Sequence, residues 1–361
     1  MSIRKLQTLP AEYLWDGLVL KDDIFNHTGA VLLLRKGETI TRAKLDKLMR
    51  FYGDSRNIMV YEDTYLEIVS DAHVPIETRR EITERRTGYT RLQQNVGGLF
   101  HRKDYEQWLN DERMAPLTRE VAGKLQDFDP VMILSCINFP RPMDEELQRH
   151  CLNVAFLNGM QAGWLSLPPE DVNMLVLAGL LHDIGKTMIP EDILNAPRRL
   201  TEEELAVMRR HPVYSDELLQ DKFDDNIRMA ARHHHEKLTG QGYPDGISGD
   251  AIGLYARITA ISDIYDAMVS ARSYKSAKLP LDVFDMFYEE QFEGLDRKLV
   301  MNFLKNMRSE YINRQVIMSD GGRGTIRYIP INDADHPIIR QGDDIRQTDD
   351  KWYCKEILPV I

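Results

Sequence analysis

The feature that most constrains this chain is a polar dyad at the end of an apolar helix. Residues 172–181 read Val-Asn-Met-Leu-Val-Leu-Ala-Gly-Leu-Leu, a periodic apolar segment that predicts a helix. His182 and Asp183 follow it directly, and Gly185 and Lys186 come next. An adjacent imidazole nitrogen and carboxylate can bridge two metal ions, an arrangement common in di-metal hydrolases.

More donor residues surround this dyad along the chain. Glu146 and His150 are four residues apart, so both project from one face of a helix. A lone histidine is more often an ordinary surface or core residue, but five of the ten histidines are candidate ligands that occur with carboxylates in one predicted helical block. The candidate metal ligands are Glu146, His150, His182, Asp183, His211, His234, His235 and Asp263. Imidazole and carboxylate donors suit Mn, Fe, Zn or Co, and no thiolate in these motifs points to a structural zinc.

The rest of the sequence predicts an α+β protein in four parts. Short apolar runs bounded by turn residues predict a small N-terminal α/β or β-rich domain over residues 1–75, with a regulatory or sensory role. A polar, charge-dense stretch predicts a helical linker over residues 76–127. Periodic apolar segments predict a helical bundle over residues 128–312, which carries the metal site. Short strands between Asp and Gly turns predict a C-terminal β extension over residues 313–361.

Charge and cysteine usage limit the partners. A net charge of −11 argues against long nucleic acid, because phosphate backbones are bound by basic surfaces, but a small phosphate ligand stays open. The sequence contains no apolar run of about 18 residues, so it predicts no membrane span, and no secretory signal is visible. The three cysteines are scattered and form no CxxC, which predicts reduced thiols and a cytoplasmic location. A homodimer, or a protein partner through the N-terminal domain or the linker helix, is left open.

Six blocks of the helical part resemble the HD-GYP family of the HD superfamily in order and spacing. The blocks are His182-Asp183-Ile184-Gly185-Lys186, His211-Pro212, His234-His235-Glu236, Gly240-Gln241-Gly242-Tyr243-Pro244, Asp263-Ile264-Tyr265-Asp266-Ala267-Met268 and Arg272-Ser273-Tyr274-Lys275. The resemblance covers about residues 130–310 and implies an HD-type helical bundle. Two positions depart from the family pattern: Thr239 replaces the usual Asp before the Gly-x-Gly-Tyr-Pro loop, and Ser215 replaces a small Gly after His-Pro.

The resemblance implies a division of the ligands between metals. His182, Asp183 and Asp263 are expected to hold one ion. Asp183 is expected to bridge to a second ion, and the other ligands of that ion are His211, His234 and His235. His150 matches the family's first ligand histidine, and Glu146 matches the carboxylate of members that carry a third metal. Two or three divalent transition metals are therefore expected, with Fe or Mn preferred.

The resemblance also implies the reaction, which is hydrolysis of cyclic di-GMP to linear pGpG and, in some members, on to GMP. Some members cleave mixed GMP-AMP rings. Asp183 and Lys186 are the expected catalytic residues, because metal ions activate water and neutralise phosphoryl charge while the lysine ammonium reaches a phosphate oxygen. The expected substrate contacts are Lys186, Gly242, Tyr243, Pro244, Arg272 and Lys275, with the tyrosine stacking on a base.

Two other interpretations compete with this one. The chain can be another nucleotide phosphohydrolase of the HD superfamily, against which the Gly242–Pro244 tripeptide and the paired His234 and His235 argue. It can also be a receptor or adaptor that binds cyclic di-GMP with weak or no turnover. Retention of every ligand position argues against a receptor, whereas Thr239 leaves room for one.

Overall fold

The structure is a computed structural model, and it describes nearly all of the helical block together with parts of both ends. The described residues are 2–10, 18–26, 31–41, 43–44, 48, 57–65, 89, 91–97, 100, 109, 114–127, 146–196, 198–270 and 278–357. Helices dominate between residues 146 and 311, and strands lie toward both ends of the chain. The predicted α+β class, with a mainly helical part, is confirmed.

The chain divides into two compact units, which we call the β unit and the helical unit. The β unit joins Met1–His73 to Val316–Lys355, and the helical unit joins Val74–Gln315 to Glu356–Ile361. Both ends of the chain therefore contribute to the β unit. The finer four-part division of the chain stays a proposal.

Among the described residues, ten strands in three sheets lie within the β unit or at its edges. The strands are β1 (Ser2–Pro10), β2 (Leu18–Leu20), β3 (Ile24–Phe25), β4 (Leu32–Leu34), β5 (Asn57–Tyr65), β6 (Gln315–Met318), β7 (Arg323–Tyr328), β8 (Ile338–Gln341), β9 (Asp344–Gln347) and β10 (Cys354–Ile357). The sheet orders are β1-β5-β2, β3-β4 and β10-β6-β7-β8-β9. Antiparallel pairing holds β1 and β2 on either side of β5, and β8 between β7 and β9.

At the C-terminal end, the strands of the structure differ from the prediction in two ways. The sequence predicts a strand over 352–354, but β10 begins at Cys354, because the Asp349 carboxylate accepts hydrogen bonds from the Lys351 and Trp352 amides and holds a turn there. Strand β9 was not predicted at all. Its side chains are mostly exposed, so it lacks the apolar alternation by which a half-buried strand is recognised.

In the helical unit, ten α-helices have described bounds, and residues 91–97 are helical as well. The ten helices are α1 (Met114–Asp127), α2 (Glu146–Trp164), α3 (Pro169–Leu181), α4 (Glu191–Leu194), α5 (Glu202–Met208), α6 (His211–Leu219), α7 (Asp225–His233), α8 (Leu254–Val269), α9 (Pro280–Tyr288) and α10 (Arg297–Tyr311). A 3₁₀ helix at Ile184–Met188 follows α3. In the described part of the chain, none of the helices has the length and apolar character needed to cross a bilayer.

Helices α2 and α3 form the centre of the helical unit. Helix α2 is buried over most of its length, and Phe156 is fully buried in it. Burial of such a side chain stabilises the fold by about 1.5–3 kcal/mol. Gly179 of α3 packs directly on α2, since a Cβ at this position would lie 2.6 Å from the Ala155 Cα atom. This close contact fixes the end of α3, and with it the residues that follow.

Side-chain caps define where the shorter helices begin. Thr201 and Glu204 form a reciprocal capping box at the start of α5. At the start of α7, the Asp224 carboxylate accepts a hydrogen bond from the Asn226 amide at 2.8 Å. Helix α7 then runs to His233, so that His234 and His235 lie at its C-terminal end.

Candidate metal centre

The HD dyad lies in a tight turn between α3 and the 3₁₀ helix. His182 caps the C-terminus of α3, and Asp183 precedes the 3₁₀ helix. Gly185 then passes so close to α6 that a Cβ would lie 2.1 Å from the His211 carbonyl oxygen. The glycine of the HDxGK motif is therefore required for packing. It allows the dyad and His211 to lie side by side.

Three of the histidines are oriented by backbone carbonyls that lie three residues earlier in the chain. In each, the ring Nδ1 lies 2.8 Å from a carbonyl oxygen three residues earlier. The pairs are His182 with Gly179, His211 with Met208, and His234 with Ala231. A carbonyl only accepts, so Nδ1 carries the proton and the Nε2 lone pair is left to face the cluster. Metal-binding histidines are commonly oriented in this way.

The inward-facing atoms lack hydrogen-bond partners although they lie close together. His150 Nε2, His182 Nε2 and Asp183 Oδ1 are buried without a hydrogen bond. His211 Nε2 lies 3.4 Å from His234 Nε2, and both atoms are acceptors because their Nδ1 atoms hold the protons. Two converging lone pairs repel unless a cation lies between them. A divalent ion held by both nitrogens would remove this repulsion.

The donor atoms form two groups that share carboxylates. One group contains His211, His234 and His235, and the other contains His150, His182 and Asp183, with the ligand atoms of each group within 4.8 Å of one another. Asp183 reaches both groups: its Oδ1 lies 3.1 Å from His211 Nε2, and its Oδ2 lies 3.3 Å from His182 Nε2.

Asp263 lies between the two groups as well. Its Oδ1 is 3.1 Å from His150 Nε2, and its Oδ2 is 3.9 Å from His235 Nδ1. Seven of the eight residues that the sequence nominated as metal ligands are thus brought together in one buried cluster. The donor set fits divalent metal ions, which prefer imidazole and carboxylate ligands in such combinations.

Burial and mutual charge keep the histidines at the end of α7 neutral. Burial, together with His235 and His182 nearby, holds the pKa of His234 well below its usual value. Burial and His211 lower the pKa of His235 to about 3. Both rings therefore present unprotonated nitrogens at neutral pH, as metal ligands must.

The carboxylate at the centre is kept ionised. Burial by itself raises the pKa of Asp183, but the charges of Lys186 and His182 outweigh it and hold the pKa well below its usual range. The Lys186 ammonium makes a direct hydrogen-bonded ion pair with Asp183 Oδ2. This lysine side chain is 20% exposed, so it can also face a ligand entering the cluster.

His150 is oriented differently, by a carboxylate of a distant helix. Its Nδ1 lies 2.7 Å from Asp266 Oδ2 in α8, 116 residues further along the chain. Asp266 also accepts hydrogen bonds from Asn153 at 2.7 Å and from Ser270 at 3.0 Å. Burial opposes a positive charge on His150, but the contacts with Asp263 and Asp266 prevail and raise its pKa to about 9.

Sequence reasoning assigned no role to Asp266 or Asn153. Asp266 is 1% exposed and Asn153 is fully buried. A signal was present, since each lies three residues after a candidate ligand, His150 or Asp263, and so shares its helix face.

The Gly242–Pro244 loop is held against the end of α7. A Cβ on Gly242 would lie 2.4 Å from the Glu236 Cα, so only glycine permits this approach. The Glu236 carboxylate accepts hydrogen bonds from the Asp245 amide at 2.7 Å and from the Gly246 amide at 2.9 Å. Tyr243, expected to stack on a base, lies half-buried with its ring on His235, 4.7 Å between centroids and tilted by 24°.

Ion pairs fasten the same loop from outside. Arg232 of α7 makes two hydrogen bonds to Asp245, at 2.6 and 2.7 Å, and a third to Asp216 of α6 at 3.0 Å. The hydrogen bonds from Arg232 lower the pKa of Asp245 to about 2. The arginine thereby links α6, α7 and the loop that follows them.

Ser215, one of the two departures from the family pattern, has a structural role. Its hydroxyl accepts a hydrogen bond from the Gly185 amide at 2.9 Å and donates one to the His182 carbonyl at 2.9 Å. It therefore ties α6 to the HD turn. Sequence reasoning treated this position only as a departure of detail.

Three of the nominated residues cannot be placed in this cluster. Glu146 begins α2, but its side chain lies outside the described residues. Arg272 and Lys275 both lie in the stretch 271–277, which is also outside them. Their expected roles remain predictions.

Comparison with known proteins identifies a known domain in the helical unit. A family model described as an HD domain matches residues 142–299. The chain is 47% identical over 122 residues, a third of its length, to the cyclic di-GMP phosphodiesterase response regulator RpfG of Xanthomonas campestris. It is 34% identical over 208 residues to a cyclic di-GMP phosphodiesterase of Pseudomonas aeruginosa, and 37% identical over 165 residues to 3′3′-cGAMP-specific phosphodiesterase 1 of Vibrio cholerae.

These matches cover only part of each relative. The alignments span 32% of the Xanthomonas protein, 49% of the Pseudomonas protein and 38% of the Vibrio protein, and 57% and 45% of this chain for the last two. Among solved structures, the HDG"Y"P protein Bd1817 of Bdellovibrio bacteriovorus is similar in fold, with a TM-score of 0.51 at 16% identity. The alignment covers 84% of this chain and 99% of that one.

The helical fold and its buried His/Asp cluster define the class of HD-domain proteins. Within residues 142–299, which match the HD domain, the chain carries both the HD dyad and the Gly-Tyr-Pro loop. The chain is similar to proteins that are named cyclic di-GMP phosphodiesterases.

Proposed function

We propose that this protein is a metal-dependent phosphodiesterase that hydrolyses cyclic di-GMP to pGpG and carries the product on to GMP where a third metal is bound. Relatives that match the helical unit are named cyclic di-GMP phosphodiesterases. The observation that carries the proposal is the convergence of mostly buried donor atoms in two groups, one of His211, His234 and His235 and the other of His150, His182 and Asp183. Without a cation among them, these atoms would be costly to bury.

The ligand sets follow from the two groups of donors. His211, His234 and His235 would hold one divalent ion, and His150, His182 and Asp183 would hold a second, with Asp263 between them. Such ions supply Lewis acidity, which activates water near neutral pH and neutralises charge on the phosphoryl oxygens. We propose Fe or Mn, because the donors are all imidazole and carboxylate. Glu146, at the start of α2, would serve a third ion.

The chain's own groups would bind and orient the substrate. Lys186 carries an ammonium beside Asp183, where it would contact a nonbridging oxygen of the scissile phosphate. Tyr243 packs on His235, so its ring would shape the wall next to the metal group as well as contact a base. Gly242 and Pro244 would hold that wall in place. Arg272 and Lys275 would supply a further clamp for the substrate.

A mixed GMP-AMP ring is the second candidate substrate. Three relatives from Vibrio cholerae are named 3′3′-cGAMP-specific phosphodiesterases, and they are 31–39% identical to this chain over the matched residues. The same ring phosphates would meet the same metal groups. Comparison of both cyclic dinucleotides in one assay distinguishes the two.

The test is product analysis with a variant at the shared carboxylate. Protein prepared without oxygen and loaded with Fe(II) or Mn(II) should release pGpG or GMP from cyclic di-GMP. Asp183→Ala should reduce turnover by about a thousandfold or more, because the residue reaches both donor groups and metal activation is lost. Asp250→Ala is the matched control, since this carboxylate is fully exposed and pairs only with Arg257.

Two outcomes would contradict the proposal. Equal turnover in Asp183→Ala would remove the cluster from the reaction. Tight binding of cyclic di-GMP by metal-loaded wild-type protein, with no product formed, would favour the receptor interpretation instead.

Location and assembly are also proposals. We propose a cytoplasmic protein on the basis of the scattered cysteines, of which Cys151 and Cys354 are buried. A homodimer or a protein partner through the N-terminal domain or the linker helix is proposed on sequence grounds alone.

A further inference from the structure

Arg209, beside the cluster, is one of three arginines in this region that make no ion pair among the described residues; the other two are Arg199 and Arg210. Most arginines of α5 to α8 and the segments flanking them are paired with acids: Arg198 with Glu204, Arg228 with Asp216 and Asp225, Arg232 with Asp216 and Asp245, and Arg257 with Asp250 and Asp296. Arg209 is exposed and makes no ion pair within the described part of the chain. In a chain with a net charge of −11, an unpaired guanidinium is available to an anion.

The position of Arg209 connects it to the metal cluster. Its guanidinium carbon lies 5.5 Å from the centre of the Tyr243 ring, and that ring stacks on His235. Its backbone is fixed as well, because its amide donates to the Leu205 and Val207 carbonyls where α5 ends. The candidate ligand His211 follows two residues later. A single aromatic ring therefore separates this guanidinium from the His211, His234 and His235 group.

The negative charge of the cluster and of its proposed substrate favours a further cation at the site. Three carboxylates, Asp183, Asp263 and Asp266, lie buried there, and Lys186 is already paired with the first of them. A cyclic dinucleotide carries two phosphodiester anions, and only one of them is at the reacting position at a time. The second must lie near the mouth of the site. A planar guanidinium forms two parallel hydrogen bonds with a phosphate, which suits it to this position.

We infer that Arg209 is a specificity-determining residue whose guanidinium binds the phosphodiester of a cyclic dinucleotide that is not being cleaved. The inference rests on the proposed function and adds to it a cationic contact for the second phosphate. Tyr243 restricts where the guanidinium can lie, so the tyrosine supports the contact from the side of the Gly-Tyr-Pro loop.

The adjacent residue, Arg210, provides a matched control. It is also exposed, and its guanidinium carbon lies 5.2 Å from the ring of Tyr214. Tyr214 belongs to the same helix turn, four residues on, whereas Tyr243 belongs to the loop next to the cluster. Two neighbouring arginines thus make the same kind of ring contact, and only one of them makes it at the candidate site.

The experiment compares Arg209→Ala, Arg209→Lys and Arg210→Ala in the full chain loaded with Mn(II), with metal content measured for each. The substrates are cyclic di-GMP and bis(p-nitrophenyl) phosphate, which has a single phosphodiester and no purine. Inhibition of bis(p-nitrophenyl) phosphate hydrolysis by cyclic di-GMP gives an affinity that needs no turnover of the dinucleotide.

For Arg209→Ala, we expect the KM and the inhibition constant of cyclic di-GMP to rise by roughly tenfold to thirtyfold, as expected for one charge-assisted contact. The kcat for cyclic di-GMP, the hydrolysis of bis(p-nitrophenyl) phosphate and the metal content should stay within about twofold of wild type, since the contact is remote from the reacting phosphate. Arg209→Lys should give intermediate values because it keeps the charge and loses the planar fork. Arg210→Ala should behave as wild type.

The alternative outcomes are distinct. Unchanged affinity in Arg209→Ala, or an equal loss in Arg210→Ala, would overturn the inference and leave the proposed function standing. If Arg209→Ala binds cyclic di-GMP more weakly but inhibition by cyclic di-AMP is unchanged, the arginine contacts guanine and the phosphate assignment is overturned. If wild-type protein hydrolyses bis(p-nitrophenyl) phosphate while cyclic di-GMP is neither cleaved nor inhibitory, the proposed function fails and the inference fails with it.

Discussion

The two sides of the candidate metal centre are oriented by different kinds of partner. On one side, His182, His211 and His234 are each held by a backbone carbonyl three residues earlier. On the other side, His150 is held by the Asp266 carboxylate, 116 residues away in the chain. We call the first the backbone-oriented side and the second the carboxylate-oriented side.

The difference shows which parts of the centre depend on tertiary packing. A ring bonded to a carbonyl three residues earlier is oriented as soon as that short segment of the chain forms. The pairing of His150 with Asp266 exists only when α2 and α8 are packed together, and it places a carboxylate in a fully buried position. A buried carboxylate must be paired or it becomes costly. The carboxylate-oriented side should therefore couple metal binding to stability more strongly than the backbone-oriented side.

The largest effect is expected when His150→Ala is compared with His234→Ala. Each removes one candidate ligand, so turnover should fall by about a thousandfold in both. The metal-free proteins should differ, because loss of His150 leaves Asp263 and Asp266 buried without their cationic partner, at a cost of about 3–5 kcal/mol. Loss of His234 removes a neutral ring and should cost less than half of that. Thermal unfolding of the metal-free variants at pH 7 measures the difference, and equal losses of stability would remove the distinction.

A smaller effect is expected from Asp266→Asn, which keeps the shape of the residue and removes its charge. The amide oxygen can still accept from His150, but the basicity of the ring falls, and metal affinity should drop about tenfold to a hundredfold. Metal titration under anaerobic conditions measures this. Asp171→Asn is the control, because Asp171 also joins two helices, through a 2.6 Å hydrogen bond from Tyr255, but lies at the far end of α3. Similar affinities in the two variants would mean that Asp266 only packs α2 against α8.

The same contrast explains how much the sequence could predict. The candidate ligands at the end of α3, on α6 and at the end of α7 follow from the types and order of residues. Each motif brings its own local geometry, such as the Gly179 carbonyl that orients His182. The pairing of His150 with Asp266 does not follow in this way, since their positions on two helices 116 residues apart indicate a shared helix face with a candidate ligand but not that the two side chains meet. The α+β class followed from apolar periodicity. Strand β9 lacked that periodicity and was missed.

The role of Ser215 was also hidden from sequence reasoning, for a related reason. Its hydroxyl contacts Gly185 and His182, thirty or more residues earlier in the chain. Ser215 differs from the family pattern, yet it has defined partners in Gly185 and His182 that become visible only when the helices are packed.

The smallest expected effect comes from Ser215→Ala, which tests whether the backbone-oriented side needs a tertiary contact. The substitution leaves the buried Gly185 amide without its acceptor and should lower stability by about 1–2 kcal/mol. Turnover should stay within about threefold of wild type, because the carbonyls that orient His182 and His211 lie three residues before them and make no bond to Ser215. Ser309→Ala is the control, since its exposed hydroxyl bonds only the Asn306 carbonyl nearby. A loss of turnover in Ser215→Ala as large as that expected for His234→Ala would show that the HD turn is held from α6 and that local backbone bonds alone do not orient this side.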